Sequence, residues 1–152
     1  MRFLGQQLHG RDGHAVGLAL LETLCGAPLP EIRRTPLGKP YFADSSLHFS
    51  ISHTKNHVFC AVSDTPVGID AEELDREVNL ALAEKLLSPG ELLQFQQAED
   101  SRLALLKFWV LKEAAGKCAG KGLQLWPNHT NFSLEDPRIQ EIDGCLVAII
   151  EE

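Results

Sequence analysis

The chain has 152 residues, of which 44% are hydrophobic and 23% are charged, and its formal net charge is −7. This composition is typical of one soluble globular domain with a hydrophobic core, and it argues against a disordered chain. The negative charge argues against a general nucleic-acid-binding protein, which would carry a basic surface. A local basic cluster can still exist in an acidic protein, so an anionic small-molecule ligand is compatible with the composition.

The apolar segments and the cysteines suggest where the protein works. The first ten residues contain no apolar run of the kind found in signal peptides, and no segment has the length and hydrophobicity of a membrane span. The four cysteines are far apart and form no C-x-x-C pair, which favours a reduced protein of the cytoplasm. The histidines show no zinc-ligand spacing, so no zinc site is expected.

The first third of the chain predicts a helix and then an irregular link. Residues 12–26 place apolar side chains at helical spacing, between Asp12 as a candidate N-cap and Gly26 as a helix stop. The prolines of residues 27–42 predict an extended or looped connection after this helix.

Three strands are predicted next, at residues 47–52, 57–62 and 67–72. The first alternates strictly between apolar and polar side chains, which indicates a strand with one buried face. Short polar turns separate each strand from the next, as expected for a compact sheet.

The second half of the chain predicts helices and then two further strands. Ser88 begins a capping box with proline at the first helical position, and a helix runs from about Ser101 to Cys118 and ends near Gly120. Residues 130–136 and 145–150 are predicted strands. The order of helix, link, Phe-Ser strand, turn and apolar strand occurs around Phe49 and again around Phe132. The sequence therefore predicts an α+β fold of two similar halves, residues 1–66 and 67–152, related by a pseudo-twofold.

Asp70 and Glu72 lie two residues apart on a predicted strand, so both carboxylates project from the same face. They could simply belong to a solvated strand end. Two like charges side by side also suit a hard cation, and oxygen ligands without nearby Cys or His favour Mg²⁺.

Glu113 and Lys117 lie four residues apart in the helix of residues 101–118. Glu before Lys at this spacing is a common surface ion pair. However, the sequence "FWVLKEAAGK" at residues 108–117 leaves little of this helix facing solvent. Buried ionised groups need partners or a function, so Glu113 could add a third carboxylate to the cation site and Lys117 a positive charge for phosphate.

Two shorter motifs are not specific by themselves. Ser52 and His53 end an alternating strand, where a histidine is often only a surface residue. Gly38-Lys39-Pro40 could be only a turn.

Together, these motifs resemble the 4′-phosphopantetheinyl transferases of the Sfp-like, surfactin-synthetase-activating type. The resemblance covers most of the chain in order, and G-I-D-x-E followed by W-x-x-K-E-x-x-x-K is its most specific part. The matching segments are residues 38–40, "FSISH" at 49–53, "VGIDAE" at 67–72, "FWVLKEAAGK" at 108–117, "GKGLQL" at 120–125 and "NFSL" at 131–134.

The resemblance implies a fold of two similar α+β halves and a Mg²⁺-dependent reaction. The enzyme would move phosphopantetheine from coenzyme A to a serine of an acyl or peptidyl carrier protein, as a holo-[acyl-carrier-protein] synthase does, and release 3′,5′-ADP. It implies that Asp70, Glu72 and Glu113 bind the metal and that Lys117 contacts the phosphates. Asp70, Glu113 and Lys117 are the implied catalytic residues. The implied coenzyme A contacts include Gly68, Asp70 and Lys117. The resemblance further implies that Lys39, Ser52 and His53 hold the 3′-phosphoadenosine end of coenzyme A.

Departures from the family pattern leave alternatives open. The chain is shorter than is usual for the family, and its N-terminal basic residues for the adenosine 3′-phosphate have no clear counterpart. Candidates to replace them are Arg11, His14, Arg33 and Arg34. The combination of "GKP" and "SISH" favours a monomer with one site between its halves over the trimeric acyl-carrier-protein synthase type. A non-catalytic protein that binds a carrier or coenzyme A, and a Mg²⁺-dependent phosphohydrolase, are the alternative functions.

Overall fold

The structure is a computed structural model of the chain, and it describes residues 1–121 and 130–152. The α+β class predicted from the sequence is confirmed. The helices are α1 (Gly13–Cys25), α2 (Ala83–Leu86), α3 (Pro89–Gln97) and α4 (Ser101–Ala119), with a 3₁₀ turn at Leu80–Leu82. The strands are β1 (Arg2–Gln7), β2 (Ile32–Arg34), β3 (Pro40–Phe42), β4 (His48–His53), β5 (His57–Ser63), β6 (Val67–Glu73), β7 (Ile139–Ile142) and β8 (Cys145–Glu151).

Two three-stranded antiparallel sheets form the centre of the fold, and both have the same connectivity. The first sheet has the order β1-β5-β4, and the second has the order β6-β8-β7. In each sheet, the first strand along the chain lies at one edge and is followed by helical structure. The second strand of that sheet lies at the far edge, and the last strand lies in the middle. Strands β2 and β3 pair with each other as a separate hairpin.

The elements stack in the order α1, first sheet, second sheet, α4. Helix α1 packs its apolar side on one face of β5, through residues such as Leu21 and Val58. The other face of β5 packs against the second sheet, where Phe59 and Ala61 meet Ile69 and its neighbours. Helix α4 covers the outer face of the second sheet. Strand β5 is buried along its whole length because it lies centrally in the first sheet with both faces covered.

Several local predictions are confirmed. Asp12 caps α1 by accepting a hydrogen bond from the Ala15 amide, and Gly26 follows its last residue with a positive φ. Ser88 and Glu91 form the predicted capping box of α3. Helix α4 ends at Gly120 in the left-handed conformation. Within the described residues, no helix has both the length and the hydrophobicity needed to cross a bilayer.

The predicted strand at residues 130–136 is wrong, because this segment has turns and no regular strand. Side chains of α3 form hydrogen bonds with the polar groups of this segment. Glu91 accepts one from the Phe132 amide at 2.9 Å and one from the Thr130 hydroxyl at 2.8 Å. Gln94 likewise accepts from the Leu134 amide at 3.0 Å. In the repeated order of elements, the counterpart of the Phe49 strand β4 is therefore β7, and the supposed echo at Phe132 was misplaced. Strands β1 and β7 were not predicted from the sequence, and the β2–β3 hairpin lies where an extended or looped connection was predicted.

Candidate active site

Strand β6 presents its acidic residues to α4, because its side chains alternate between two different neighbours. Val67, Ile69 and Ala71 pack against the first sheet. The alternate positions Gly68, Asp70 and Glu72 therefore point to the opposite face, where α4 lies. The prediction that both carboxylates share a face is thus confirmed.

Gly68 allows α4 to approach β6 closely. A Cβ atom at Gly68 would overlap the Ala114 carbonyl oxygen and would lie 2.5 Å from the Cys118 backbone nitrogen. The close packing places the helix backbone where a side chain would otherwise stand. The structure therefore gives Gly68 a packing role, and a direct contact of Gly68 with coenzyme A stays a prediction.

The ammonium group of Lys117 connects α4 to both sheets. It donates hydrogen bonds to the Asp70 carboxylate oxygen Oδ1 at 2.9 Å and to the carbonyl oxygens of Ile69 at 3.0 Å and Ile51 at 3.4 Å. Ile51 belongs to β4 and Ile69 to β6, so a single side chain touches both halves. The buried helix carries Lys117 because the lysine meets its acceptors at the junction of the two sheets.

Asp70 is the most buried of the three predicted metal ligands. Its Oδ1 atom accepts from Lys117 and from the Ser52 hydroxyl at 3.2 Å. Its Oδ2 atom is also buried and has no hydrogen-bond partner among the described residues. Burial raises the pKa of Asp70, and the nearby Lys117 charge only partly offsets this effect.

Glu72 and Glu113 stand beside Asp70 and also hold their protons more tightly than usual. Burial raises the pKa of both carboxyls, and the negative charge of Asp70 raises each of them further. Three neighbouring acidic groups with raised pKa values form a region where a bound cation would relieve repulsion. Glu72 is also paired with Arg76 and accepts a hydrogen bond from Trp109.

Two adjoining pockets form one groove at the junction of the sheets and α4. Glu113, Lys117 and Ile51 line both pockets. We call one of them the acidic pocket. Besides the three shared residues, it is lined mainly by Ser52, His53, Asp70, Glu72, Arg76 and Trp109. We call the other the lysine pocket. Leu37, Pro40 and Phe49 give it an apolar wall, and Lys39 adds a second positive charge to that of Lys117.

The predicted nucleotide-binding residues are divided between these two pockets. Lys39 lines the lysine pocket and donates a hydrogen bond to the Cys118 carbonyl at the end of α4, at 2.9 Å. Burial lowers the pKa of Lys39. Ser52 and His53 line the acidic pocket instead, and the His53 ring packs close to Gly13 at the start of α1. A joint contact of all three with one nucleotide stays a prediction.

Ser52 also has a structural task that its position in the sequence did not reveal. Its hydroxyl accepts a hydrogen bond from the Ala71 amide, and Ser50 accepts one from the Ile69 amide, both at 3.1 Å. Strand β6 lies at an edge of its sheet, so these serines satisfy amides that have no ladder partner there. The two serines of "FSISH" thus connect the first sheet to the second through hydrogen bonds to β6.

The side chains around the acidic pocket fit a hard divalent cation. The donors are carboxylate oxygens, and the buried Oδ2 atom of Asp70 is available as a ligand. Within the described residues, the one set of three potential ligand atoms lying within 4.8 Å of one another is His57, Glu73 and Cys145. The carboxylates of Asp70, Glu72 and Glu113 are therefore less closely gathered, with Lys117 and Arg76 as their cationic partners.

Arg76 and Trp109 are the site residues that the sequence analysis missed. Trp109 lies four residues before Glu113 on α4, so helical spacing could have suggested it. Arg76 follows the end of β6 and lies outside any helix, so no spacing rule pointed to it. Among the candidate basic residues, Arg34 donates to the Gly38 carbonyl and Arg33 pairs with Glu31. The matching segment at residues 122–125 lies outside the described residues.

Comparison with known proteins identifies relatives of this chain. A family model described as the 4′-phosphopantetheinyl transferase superfamily matches residues 66–146, more than half of the chain. The 4′-phosphopantetheinyl transferase gsp of Aneurinibacillus migulanus is 37% identical over 95 residues, which are 61% of this chain and 39% of that protein.

Two further relatives give similar values. The 4′-phosphopantetheinyl transferase psf-1 of Bacillus pumilus is 42% identical over 57% of this chain and 38% of its own length. The 4′-phosphopantetheinyl transferase Sfp of Bacillus subtilis strain 168 is 34% identical over 58% of this chain and 40% of its own length. The matches thus span less than half the length of these relatives.

Proposed function

Because the chain belongs to the 4′-phosphopantetheinyl transferase superfamily, we propose that it transfers phosphopantetheine from coenzyme A to a serine of an apo-carrier protein. The products are the holo-carrier protein and 3′,5′-ADP. The acceptor is an acyl or peptidyl carrier, which includes the holo-[acyl-carrier-protein] synthase reaction. The observation that carries the proposal is the grouping of Asp70, Glu72 and Glu113 around Lys117 in one groove.

Asp70, Glu72 and Glu113 are the residues that would hold Mg²⁺ in this reaction. When bound, the ion supplies positive charge to the pyrophosphate of coenzyme A, as metal ions do in phosphoryl transfer generally. The buried Oδ2 atom of Asp70 and the raised pKa values of all three carboxyls support this assignment.

Glu113 and Lys117 are the proposed reactive pair. Glu113 takes the proton of the carrier serine, whose oxygen bonds to the phosphorus of phosphopantetheine as the pyrophosphate bond breaks and 3′,5′-ADP leaves. Burial and the charge of Asp70 raise the pKa of Glu113, which makes its carboxylate a stronger base. Lys117 donates to the phosphate oxygens, because its ammonium lies one helical turn from Glu113 and beside Asp70.

The lysine pocket is the proposed place for the nucleotide end of coenzyme A. Its apolar wall, which includes Leu37 and Phe49, suits the adenine ring, and Lys39 offers a charge to a phosphate. Ser52 and His53 extend this binding surface along the acidic pocket.

The proposed working form is a monomer in the cytoplasm. Both sheets that meet at the groove come from one chain, so no second copy is needed to complete it. All four cysteines are free, which agrees with a reducing compartment.

The mass of the carrier protein tests this proposal and separates it from the two alternatives. Apo-acyl carrier protein, coenzyme A and Mg²⁺ are incubated with the chain, and a transferase adds one phosphopantetheine group to the carrier. A binding protein leaves the carrier mass unchanged, and a phosphohydrolase releases free phosphopantetheine. Asp70→Asn is the matched control, since it keeps the shape of the side chain and removes its charge.

A further inference from the structure

Arg76 is fixed at the mouth of the acidic pocket by three different contacts. Its guanidinium pairs with Glu72 and lies over the Trp109 ring, 5.7 Å from the ring centroid. The Arg102 guanidinium donates to the Leu74 and Arg76 carbonyl oxygens at 2.6 Å and 3.0 Å, so the backbone of this turn is also held in place. The side chain of Arg76 is 46% exposed, and the guanidinium is thus at the pocket rim.

The positive charge of Arg76 acts on the whole carboxylate group as well as on its direct partner. Its side chain lines the acidic pocket together with those of Asp70, Glu72 and Glu113. Lys117 has the corresponding place on the other side of Asp70. The three carboxylates therefore have two protein cations beside them before any ion arrives.

We propose that Arg76 is the resident counter-ion of this cation site and that it competes with the divalent cation for Glu72. The inference rests on the proposed function, since it takes Asp70, Glu72 and Glu113 as the ligands. Glu72 cannot give its full charge to a metal while it holds the guanidinium, and the remaining Arg76 charge repels the metal. Arg76 thus weakens cation binding, and it keeps like charges from destabilising the site when no cation is bound.

The experiment measures Mn²⁺ binding to the full chain by electron paramagnetic resonance of the free ion, with no coenzyme A present. Arg76→Gln removes the charge and should bind Mn²⁺ roughly fivefold more tightly, the size expected for a partly exposed charge at short range. Arg76→Lys keeps the charge and should stay close to the wild type. Circular dichroism verifies that each variant is folded.

Arg138 provides a closely matched control. Its side chain is also 46% exposed, it pairs with Asp136, and it lies 5.6 Å from the centroid of the Phe132 ring. Arg138→Gln therefore removes an equivalent ion pair and ring contact away from the three carboxylates, and it should leave Mn²⁺ binding unchanged.

Asp70→Asn separates failure of this inference from failure of the proposed site. If Asp70→Asn abolishes Mn²⁺ binding while Arg76→Gln binds no more tightly than the wild type, the counter-ion role is wrong and the cation site stands. If the wild type binds no Mn²⁺, or Asp70→Asn binds as well as the wild type, both are overturned. An equal gain in Arg138→Gln would also refute the inference, because the effect would then follow from net charge alone.

Discussion

The ammonium group of Lys117 holds the two sheets together and also faces the groove. Its three donors have acceptors in the Ile51 carbonyl, the Ile69 carbonyl and the Asp70 carboxylate. A lysine held this way is a pre-organised point charge. Its longest hydrogen bond, to the Ile51 carbonyl at 3.4 Å, is the one that a phosphate oxygen entering the groove would replace. We therefore expect substitutions at position 117 to affect both stability and turnover.

Lys117→Ala should reduce kcat about a hundredfold, the loss expected for a donor that acts in the transition state. Lys117→Arg should rescue poorly, since a planar guanidinium does not fit the acceptors arranged around a compact ammonium. The rate of carrier loading measures both effects. Lys107→Ala is the control, because Lys107 lies on the same helix but lines a different pocket. Near-wild-type turnover in Lys117→Ala would show that the pair of Glu113 and Lys117 has no catalytic role.

At the scale of elements, the distance between α4 and β6 determines where Glu113 and Lys117, the proposed reactive pair, lie relative to Asp70. Gly68 lies directly against the helix, whose backbone at Ala114 and Cys118 fills the space that a side chain would need. Glu113 and Lys117 lie on the same turns of α4, so a displacement of the helix moves both of them relative to Asp70.

Gly68→Ala should therefore lower both stability and activity. Forcing a methyl group against the α4 backbone should cost about 1–3 kcal/mol of unfolding free energy or more, because packed cores tolerate added atoms poorly. Urea unfolding measures the stability, and carrier loading measures the activity. Gly90→Ala is the control, since its methyl group would meet only the movable end of the Asn131 side chain. A fully active Gly68→Ala would show that the close packing does not position the site.

Helix α3 is joined to α4 through a buried ion pair. Glu91 and Lys112 are both almost completely buried, and the Lys112 ammonium lies 2.7 Å from Glu91 Oε1. Burial by itself would raise the pKa of Glu91, but hydrogen bonds from Lys112, from the amides of Ser88 and Phe132 and from Thr130 outweigh burial and lower it. Glu91 thus links α3, α4 and the segment that returns to β7.

Glu91→Gln should cost about 3–5 kcal/mol near neutral pH, because it removes the carboxylate from a buried lysine. Since the folded-state pKa of Glu91 is lowered, its contribution is present above the ordinary value of 4.5 and is lost as the pH falls through the lowered value. The difference between wild type and variant should therefore shrink in acid. Chemical unfolding at several pH values tests this, with Glu99→Gln as an exposed control. A pH-independent difference would contradict the ionised pair.

The elements that were predictable from sequence are those with strong local signals. The capped helix after Asp12, the alternation of β4 and the capping box at Ser88 each depend on neighbouring residues, and all three are confirmed. The segment around Phe132 carries an equally strand-like pattern, but Glu91 and Gln94 of α3 bind its backbone. That competition is tertiary, so the local pattern could not reveal it.

At the scale of the whole molecule, the two sheets are joined by side chains where they meet along β4 and β6. The hydroxyls of Ser50 and Ser52 accept hydrogen bonds from the backbone amides of Ile69 and Ala71. These bonds take the place of the backbone hydrogen bonds that would join two paired strands. The groove opens along this joint, where Lys117 reaches residues of both sheets. Stability of the joint and geometry of the groove are therefore linked.

Ser50→Ala should destabilise the protein by about 1–3 kcal/mol, because it leaves the Ile69 amide buried without an acceptor. Ser52→Ala should cost a similar amount and also lower activity, since the Ser52 hydroxyl additionally donates to Asp70. Unfolding in urea and carrier loading give the two readouts. Equal loss of activity in both variants would mean that the joint matters only as a whole, with no separate role for the contact to Asp70.

The site as a whole could be predicted only in part. The shared face of Asp70 and Glu72 follows from strand alternation, and the burial of the helix with Glu113 and Lys117 follows from its apolar residues. Burial of the helix suggested that Glu113 could join the Asp70 and Glu72 carboxylates, and the family resemblance implied the same grouping. No local rule relates residue 70 to residue 113. Arg76 was missed because its importance depends on the Trp109 ring beneath it, which only the packing brings near.

The most direct test of the account is a crystal structure of the chain with coenzyme A and Mg²⁺. The account predicts one ion bound by oxygens of Asp70, Glu72 and Glu113 at about 2.1 Å, the usual Mg²⁺ distance. The pyrophosphate should then lie within hydrogen-bond reach of Lys117, and the nucleotide should extend toward Lys39. A structure with coenzyme A bound outside this groove, or with these carboxylates remote from the metal, would contradict the account.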